Sequence, residues 1–185
     1  MKKIFTILLV SSIAILGSAY TIQAIINWKI DSEKAMVKFQ LTAHGQELLG
    51  DFKGAKGMIK FDEKDLPGSY VDCTVDIATI NTGVPPRDQH LQAKSFFDAK
   101  GFPIGRFMST NIIKTTEGFT ANGEFTLKNT TKKISVPFIF DGNHSAGSFK
   151  AEFKIKRSEY KIGEPDEDIG DEVIIALDIP VNAEK

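Results

Sequence analysis

The chain has 185 residues, with 23 Lys and Arg against 24 Asp and Glu and a single cysteine. A formal charge of −1 leaves no basic excess for nucleic acid or anionic lipid. One cysteine excludes an internal disulfide, so stability must come from an apolar core, and 14 Phe against one Trp and three Tyr supply one with few polar handles.

The N-terminus reads as a targeting signal. Lys2 and Lys3 precede the apolar run IFTILLVSSIAIL, too short to span a bilayer comfortably, and small residues follow up to Ala19 and Ala24. Residues 1–24 are therefore expected to be a signal peptide cleaved after 19 or 24, and 25–185 a single domain. The serine pair inside the run argues against an uncleaved anchor, and no cysteine follows it to carry a lipoprotein anchor. Loss of Lys2 and Lys3 takes the charge to about −3. The expected location is periplasmic or secreted.

From Ala35 onward the sequence alternates with a period of two, the signature of half-buried strands. Ala35, Val37, Phe39, Leu41 and Ala43 share one face, followed by Ile59 and Phe61, then Val71, Cys73, Val75 and Ile77. Phe107 and Ser109 come next, then Phe119, Ala121, Gly123, Phe125 and Leu127, and then Ile134, Val136, Phe138 and Phe140. Phe149, Ala151, Phe153 and Ile155 precede a last run of Val173, Ile175, Leu177, Ile179 and Val181. The links DEKDLPGS, TTEG, KNTTKK and DGNHSAG suit antiparallel neighbours. About eight strands in an antiparallel sandwich or barrel follow, and alternation does not separate the two. Gly123 predicts a bulge or bend in its own strand.

Two segments break the pattern. One is the acidic loop SEYKIGEPDEDIGDE; the other, NTGVPPRDQHLQAKSFFDAKGFP, gathers an Arg, two Asp, a His and three Phe. In the second, Asp88 suits an N-cap for a short helix from Gln89 to about Lys94. Leu91 would face the sheet, and Phe96 and Phe97 would cover apolar surface. Arg87 and Asp98 would satisfy each other or orphan backbone groups near a closed end of the fold.

Candidate chemistry is thin. A nucleophilic set of Cys73, His90 and Asp88 requires a reactive thiol, but an inward thiol on an alternating strand behaves as a small buried hydrophobe. His44, His90 and His144 share no metal-ligand spacing. The acidic loop misses the EF-hand pattern, with Gly170 where a ligand belongs and Asp171 where glycine is required. No phosphate-binding glycine loop is present. NTT at Asn129 and NHS at Asn143 match a glycosylation sequon and are read as chance in a bacterial-type exported chain.

Several segments in order resemble the YceI-like family of exported bacterial polyisoprenoid-binding proteins. WKIDSEKAMVKFQLTAHG, with His44, resembles the opening block, and GDFKGAKGMIKFD the second. INTGVPPRDQHLQAKSFFDAKGFPIGRFMST resembles the signature block through Thr82, Gly83, Arg87, Asp88, His90, Leu91, Phe96, Phe97, Pro103, Phe107 and Ser109. GEFTLKNTTKKISVPFIF follows, with Asn129 in place of the usual glycine, and RSEYKIG and GDEVIIALDI close the match.

The resemblance implies an all-β, eight-stranded antiparallel, lipocalin-like β-barrel with a short helix in the 85–98 segment. It also implies an amphipathic lipid held inside, a polyisoprenoid or an isoprenoid quinone, with links to quinone metabolism or stress and no catalysis. Phe39, Phe61, Phe107, Phe119, Phe125, Phe138, Phe140, Phe149 and Phe153 all point inward in this register. They could line a channel for an apolar chain or fill the barrel shut. His44, Arg87 and His90 are the candidate polar groups at a mouth. No cofactor, metal or nucleic-acid partner is expected. Transient membrane contact for lipid exchange and a homodimer are left open, as are a packed interaction module and an enzyme using His90 or Cys73.

Overall fold

Ten strands form one sheet in the computed structural model, which describes residues 25–164 and 168–184; the expected signal peptide lies outside them. They are β1 (Asn27–Ile30), β2 (Met36–Ala43), β3 (Gln46–Phe52), β4 (Lys56–Lys60), β5 (Tyr70–Asp76), β6 (Ile104–Lys114), β7 (Phe119–Leu127), β8 (Thr130–Gly142), β9 (Ala146–Lys156) and β10 (Glu172–Ala183). β10 pairs with β1, Val181 opposite Ile30, and further along with β2, Leu177 opposite Val37. β1 and β2 are thus two pieces of one stave. β3 and β4 are the next broken stave, since β2 pairs with β3 and β1 with β4. β4 through β10 then follow in sequence order, every pair antiparallel, and β1–β10 closes the ring. The result is a closed eight-stranded barrel, which settles the choice against the sandwich.

The sequence reading missed β1 and β3 as strands. β1 has only four residues. In β3 the apolar pair Leu48 and Leu49 sits on adjacent positions, which masks the alternation even though Leu49 is exposed and Leu48 half-buried.

β6 and β7 meet at an irregularity between Ser109 and Asn111, across from Gly123. The extra residue therefore sits in β6, a correction to the bulge expected in the strand of Gly123. The glycine lets β6 come close: a Cβ there would run into the Met108 carbonyl oxygen and lie 2.8 Å from Ser109 Cα. Ser109 is buried, and its hydroxyl accepts the Val71 N–H at 2.8 Å, just past the Asp72–Met108 pair that ends the β5–β6 ladder.

Two apolar clusters pack inside the barrel, one toward each end. At the lower end, where the chain turns between β6 and β7 and between β8 and β9, Phe61 is only 2% exposed. Its ring stands edge-on to Phe119, Phe138, Phe140 and Phe149 at 5.0–5.7 Å between centroids. Trp28 joins this plug, its ring tilted 53° against Phe140 at 5.0 Å between centroids, while its indole N–H donates to the Phe61 carbonyl at 3.1 Å. At the upper end, Phe52, Ile77, Ile80, Ala99, Leu127, Tyr160 and Ile162 form the second cluster.

The upper end also holds the segment between β5 and β6. It opens with a 3-10 turn at Ile77–Thr79 and contains α1 (Pro85–Leu91). Among the described residues, β3 has no ladder partner besides β2, and this segment covers its free edge. Asp51 and Asn81 exchange backbone hydrogen bonds at 2.9 Å, Thr79 Oγ1 accepts the Lys53 N–H at 2.8 Å, and Phe97 packs on Phe52.

α1 starts earlier than the sequence suggests. Proline occupies its first positions, where a missing N–H costs nothing and φ is already helical, and Val84 is the N-cap residue. Asp88 is therefore not the N-cap. It lies within the helix and reaches back to accept the N–H of Thr82 at 2.8 Å and its hydroxyl at 2.5 Å.

Candidate functional site

The inward faces of the staves do not meet in the middle. Between the plug and the upper cluster lies a cavity of about 770 Å³, within the range of small-molecule sites. Its wall is built by alternation: Val37, Phe39, Leu41 and Ala43 from β2, Val71, Cys73 and Val75 from β5, and Phe149, Ala151, Phe153 and Ile155 from β9. Val173, Ile175, Leu177 and Ile179 of β10 complete one side.

Of the nine phenylalanines read as inward, Phe39, Phe107, Phe125, Phe138, Phe149 and Phe153 line the cavity. Phe61, Phe119 and Phe140 do not; they belong to the plug beneath it, with Phe138 and Phe149 forming its upper surface. In-or-out orientation is common to both groups, and depth along the barrel axis separates them. Phe52, Phe96 and Phe97 also line the cavity. Phe96 and Phe97 come from the segment after α1, and Phe52 from the strand whose alternation is masked.

Polar groups gather at the upper end, and His44, Arg87 and His90 all border the cavity there. His44 sits in the β2–β3 turn in left-handed backbone conformation (φ 52°), and its N–H donates to the Asp168 carbonyl at 2.6 Å. The His90 ring lies edge-on to Phe96, 4.8 Å between centroids. Arg87 donates through Nε to Thr82 Oγ1 at 2.8 Å and through Nη2 to the Thr82 carbonyl at 3.0 Å. No Arg87–Asp98 pair forms: of the two expected partners, Arg87 takes a backbone carbonyl, because Thr82 is already drawn to the helix by Asp88.

The sequence reading missed Arg157 at this end. It borders the cavity yet is only 7% exposed, on the 3-10 turn Arg157–Tyr160 that follows β9. Its guanidinium donates to the carbonyls of Gly170 (3.1 Å), Ile162 (3.0 Å), Glu164 (2.9 Å) and Ile169 (2.9 Å). It thereby ties the visible parts of the acidic loop over the barrel, placing Ile169 in the cavity wall. An arginine at the end of an alternating strand and ahead of an irregular loop was the available signal, but nothing in the sequence names its acceptors.

Cys73 borders the cavity at mid-depth, and burial pushes its thiol up to about 12. Such a thiol stays protonated at neutral pH and is a poor nucleophile. Asp88, the proposed third member of a nucleophilic set, is held by Thr82. Among the described residues, no group of three or more His, Cys, Asp or Glu could hold a metal ion. The arrangement offers a greasy tunnel with one polar end.

Comparison with known proteins agrees with this architecture. A UPF0312 protein of Photorhabdus laumondii is 31% identical over 143 residues, spanning 72% of this chain and 74% of the relative. The crystal structure of Burkholderia cenocepacia BcnA superposes with a TM-score of 0.76 at 25% identity, covering 82% of this chain and 98% of BcnA. A polyisoprenoid binding domain from Saccharophagus degradans, implicated in plant cell wall breakdown, shares the fold at 10% identity, with a TM-score of 0.65 over 87% of this chain and 100% of that domain. The family model described as YceI-like domain matches residues 28–181, nearly the whole barrel, and the chain belongs to that family.

Proposed function

We propose that this protein is an exported lipid-binding protein that holds the tail of a polyisoprenoid or similar amphipathic lipid inside its barrel, for transport or storage, without catalysis. The carrying observation is the cavity of about 770 Å³, walled by apolar side chains and polar at one end only. Each CH₂ moved from water into such a wall contributes about 0.8 kcal/mol, so ten contribute about 8 kcal/mol before ordering costs. No charged anchor is needed for the tail, and the polar end remains for a head group. The polyisoprenoid-binding domain of like fold and the membership in the YceI-like family support the same reading. A periplasmic or secreted location, a role under stress, lipid exchange at a membrane and homodimer formation are part of the proposal.

The test is native mass spectrometry of protein purified from its own host, followed by titration of delipidated protein with prenyl lipids. A bound tail is expected to raise the thermal midpoint of the delipidated protein, because a ligand held only by the folded barrel stabilises it. Ligand-free protein that takes up no lipid and shows no rise in its thermal midpoint would leave the alternative, a barrel acting as an interaction module.

A further inference from the structure

Arg87 has donors to spare. A guanidinium carries five N–H groups. Arg87 uses one on Nε and one on Nη2, both on Thr82, and among the described residues Nη1 makes no hydrogen bond. Arg87 is half-buried, is held at two atoms, and is one of the residues lining the cavity.

No carboxylate bonds either arginine at this end directly. At the polar end Arg87 and Arg157 border the cavity, against one carboxylate, Glu47. Glu47 is engaged by the Gln40 side chain at 2.6 Å, and Asp88 by Thr82. The four hydrogen bonds of Arg157 all go to main-chain carbonyls, and its charge acts on nearby Asp171, so Arg87 is the guanidinium left with free donors. A guanidinium beside an apolar wall attracts an anion more strongly than the same group in water, and its planar fork matches two oxygens of one head group.

We propose that Arg87 docks the oxyanion of an acidic head group, so that the barrel takes lipids ending in a phosphate or carboxylate over neutral ones with the same tail. This rests on the lipid-binding reading above and narrows it: a neutral quinone head would not use the free edge of Arg87 in this way.

The experiment titrates delipidated protein calorimetrically with geranylgeranyl diphosphate, geranylgeranoic acid, geranylgeraniol and inorganic diphosphate. Both acids are expected to bind about tenfold or more tighter than the alcohol, with inorganic diphosphate alone giving no saturable signal. R87Q is expected to bring acid and alcohol to within about threefold of each other, and R87K, which keeps the charge and loses the fork, to fall between. Because the ratio is taken within one variant, a loss of stability common to both ligands cancels. Raising ionic strength in the wild-type protein is expected to weaken the acids and not the alcohol. Equal affinities for acid and alcohol would overturn the head-group assignment and leave lipid binding intact. Discrimination unchanged in R87Q would remove Arg87 from it, saturable binding of diphosphate alone would reduce it to a surface anion site, and no binding of any prenyl compound would sink both readings.

Discussion

Arg157 donates to the carbonyl oxygen of Ile169 across 2.9 Å, so a residue just past β9 fixes a residue whose side chain forms part of the cavity wall. Three further carbonyls share the same guanidinium. Arg157→Gln is expected to cost about 3 kcal/mol in urea unfolding, since it strips donors from several part-buried acceptors at once. Amides around residues 168–170 should exchange faster in the variant. A change within about 0.5 kcal/mol, the range of ordinary surface substitutions, would show that the clamp is dispensable.

Phe61 sits at the centre of the plug, against four other phenylalanine rings. Phe61→Ala should lose about 3–5 kcal/mol and leave a hollow that the neighbouring rings fill only in part. The cavity would then deepen toward Trp28. Delipidated variant protein that remains folded is expected to favour longer tails more than the wild type does, read as a shift in the affinity order along a series of prenyl alcohols.

Burial raises the thiol of Cys73 and the phenol of Tyr160, each to about 12, from ordinary values of 9.0 and 10.0. Both groups are neutral in their stable folded form, so the unfolded chain gives up these protons first. Their contribution to stability is intact below about pH 9 and is lost as pH rises toward 12. Chemical denaturation across that window should show stability falling, and Cys73→Ala combined with Tyr160→Phe should flatten the fall relative to wild type. Among the described residues the Tyr160 hydroxyl is buried with no hydrogen-bond partner, so Tyr160→Phe alone is expected to raise stability at neutral pH by about 1 kcal/mol. An equally steep alkaline loss in the double variant would assign it to other groups.

Gly123 faces the β6 irregularity with no room for a side chain. Gly123→Val should force β6 and β7 apart and cost about 3 kcal/mol, well above the roughly 0.5 kcal/mol of an ordinary surface change, measured by thermal unfolding. A loss within about 0.5 kcal/mol would mean that the strands relax freely.

The alternation from Val37 to Val181 carried most of the fold, because in a barrel with an apolar interior every stave must alternate to fit. It gave the inward side of Phe39, Cys73, Phe125 and Phe153. It could not give depth: Phe138 and Phe140 are two residues apart on one face of β8, yet the first borders the cavity and the second is packed below it. Nor could it separate a hollow interior from a filled one, since that depends on how far opposite walls stand apart. At the mouth, residue types pointed to His44, Arg87 and His90. The partners of Arg87 and Asp88 depended on where α1 begins, and Pro85 decided that against the N-cap signal of Asp88.

The free edge of β3 gives the barrel an uneven calendar of opening. Elsewhere a stave is held by ladders on both sides, and releasing it means losing a run of main-chain hydrogen bonds. Against β3 the covering segment is attached by the Asp51–Asn81 pair, the Thr79 hydroxyl and a few rings. Its local opening is expected to cost less than unfolding the whole domain, and on the lipid-binding reading proposed above a flexible tail would pass sideways at that seam. On that reading the lifetime of a loaded barrel would follow how often this patch lifts, a quantity tunable at Thr79, which ties the seam and does not line the cavity.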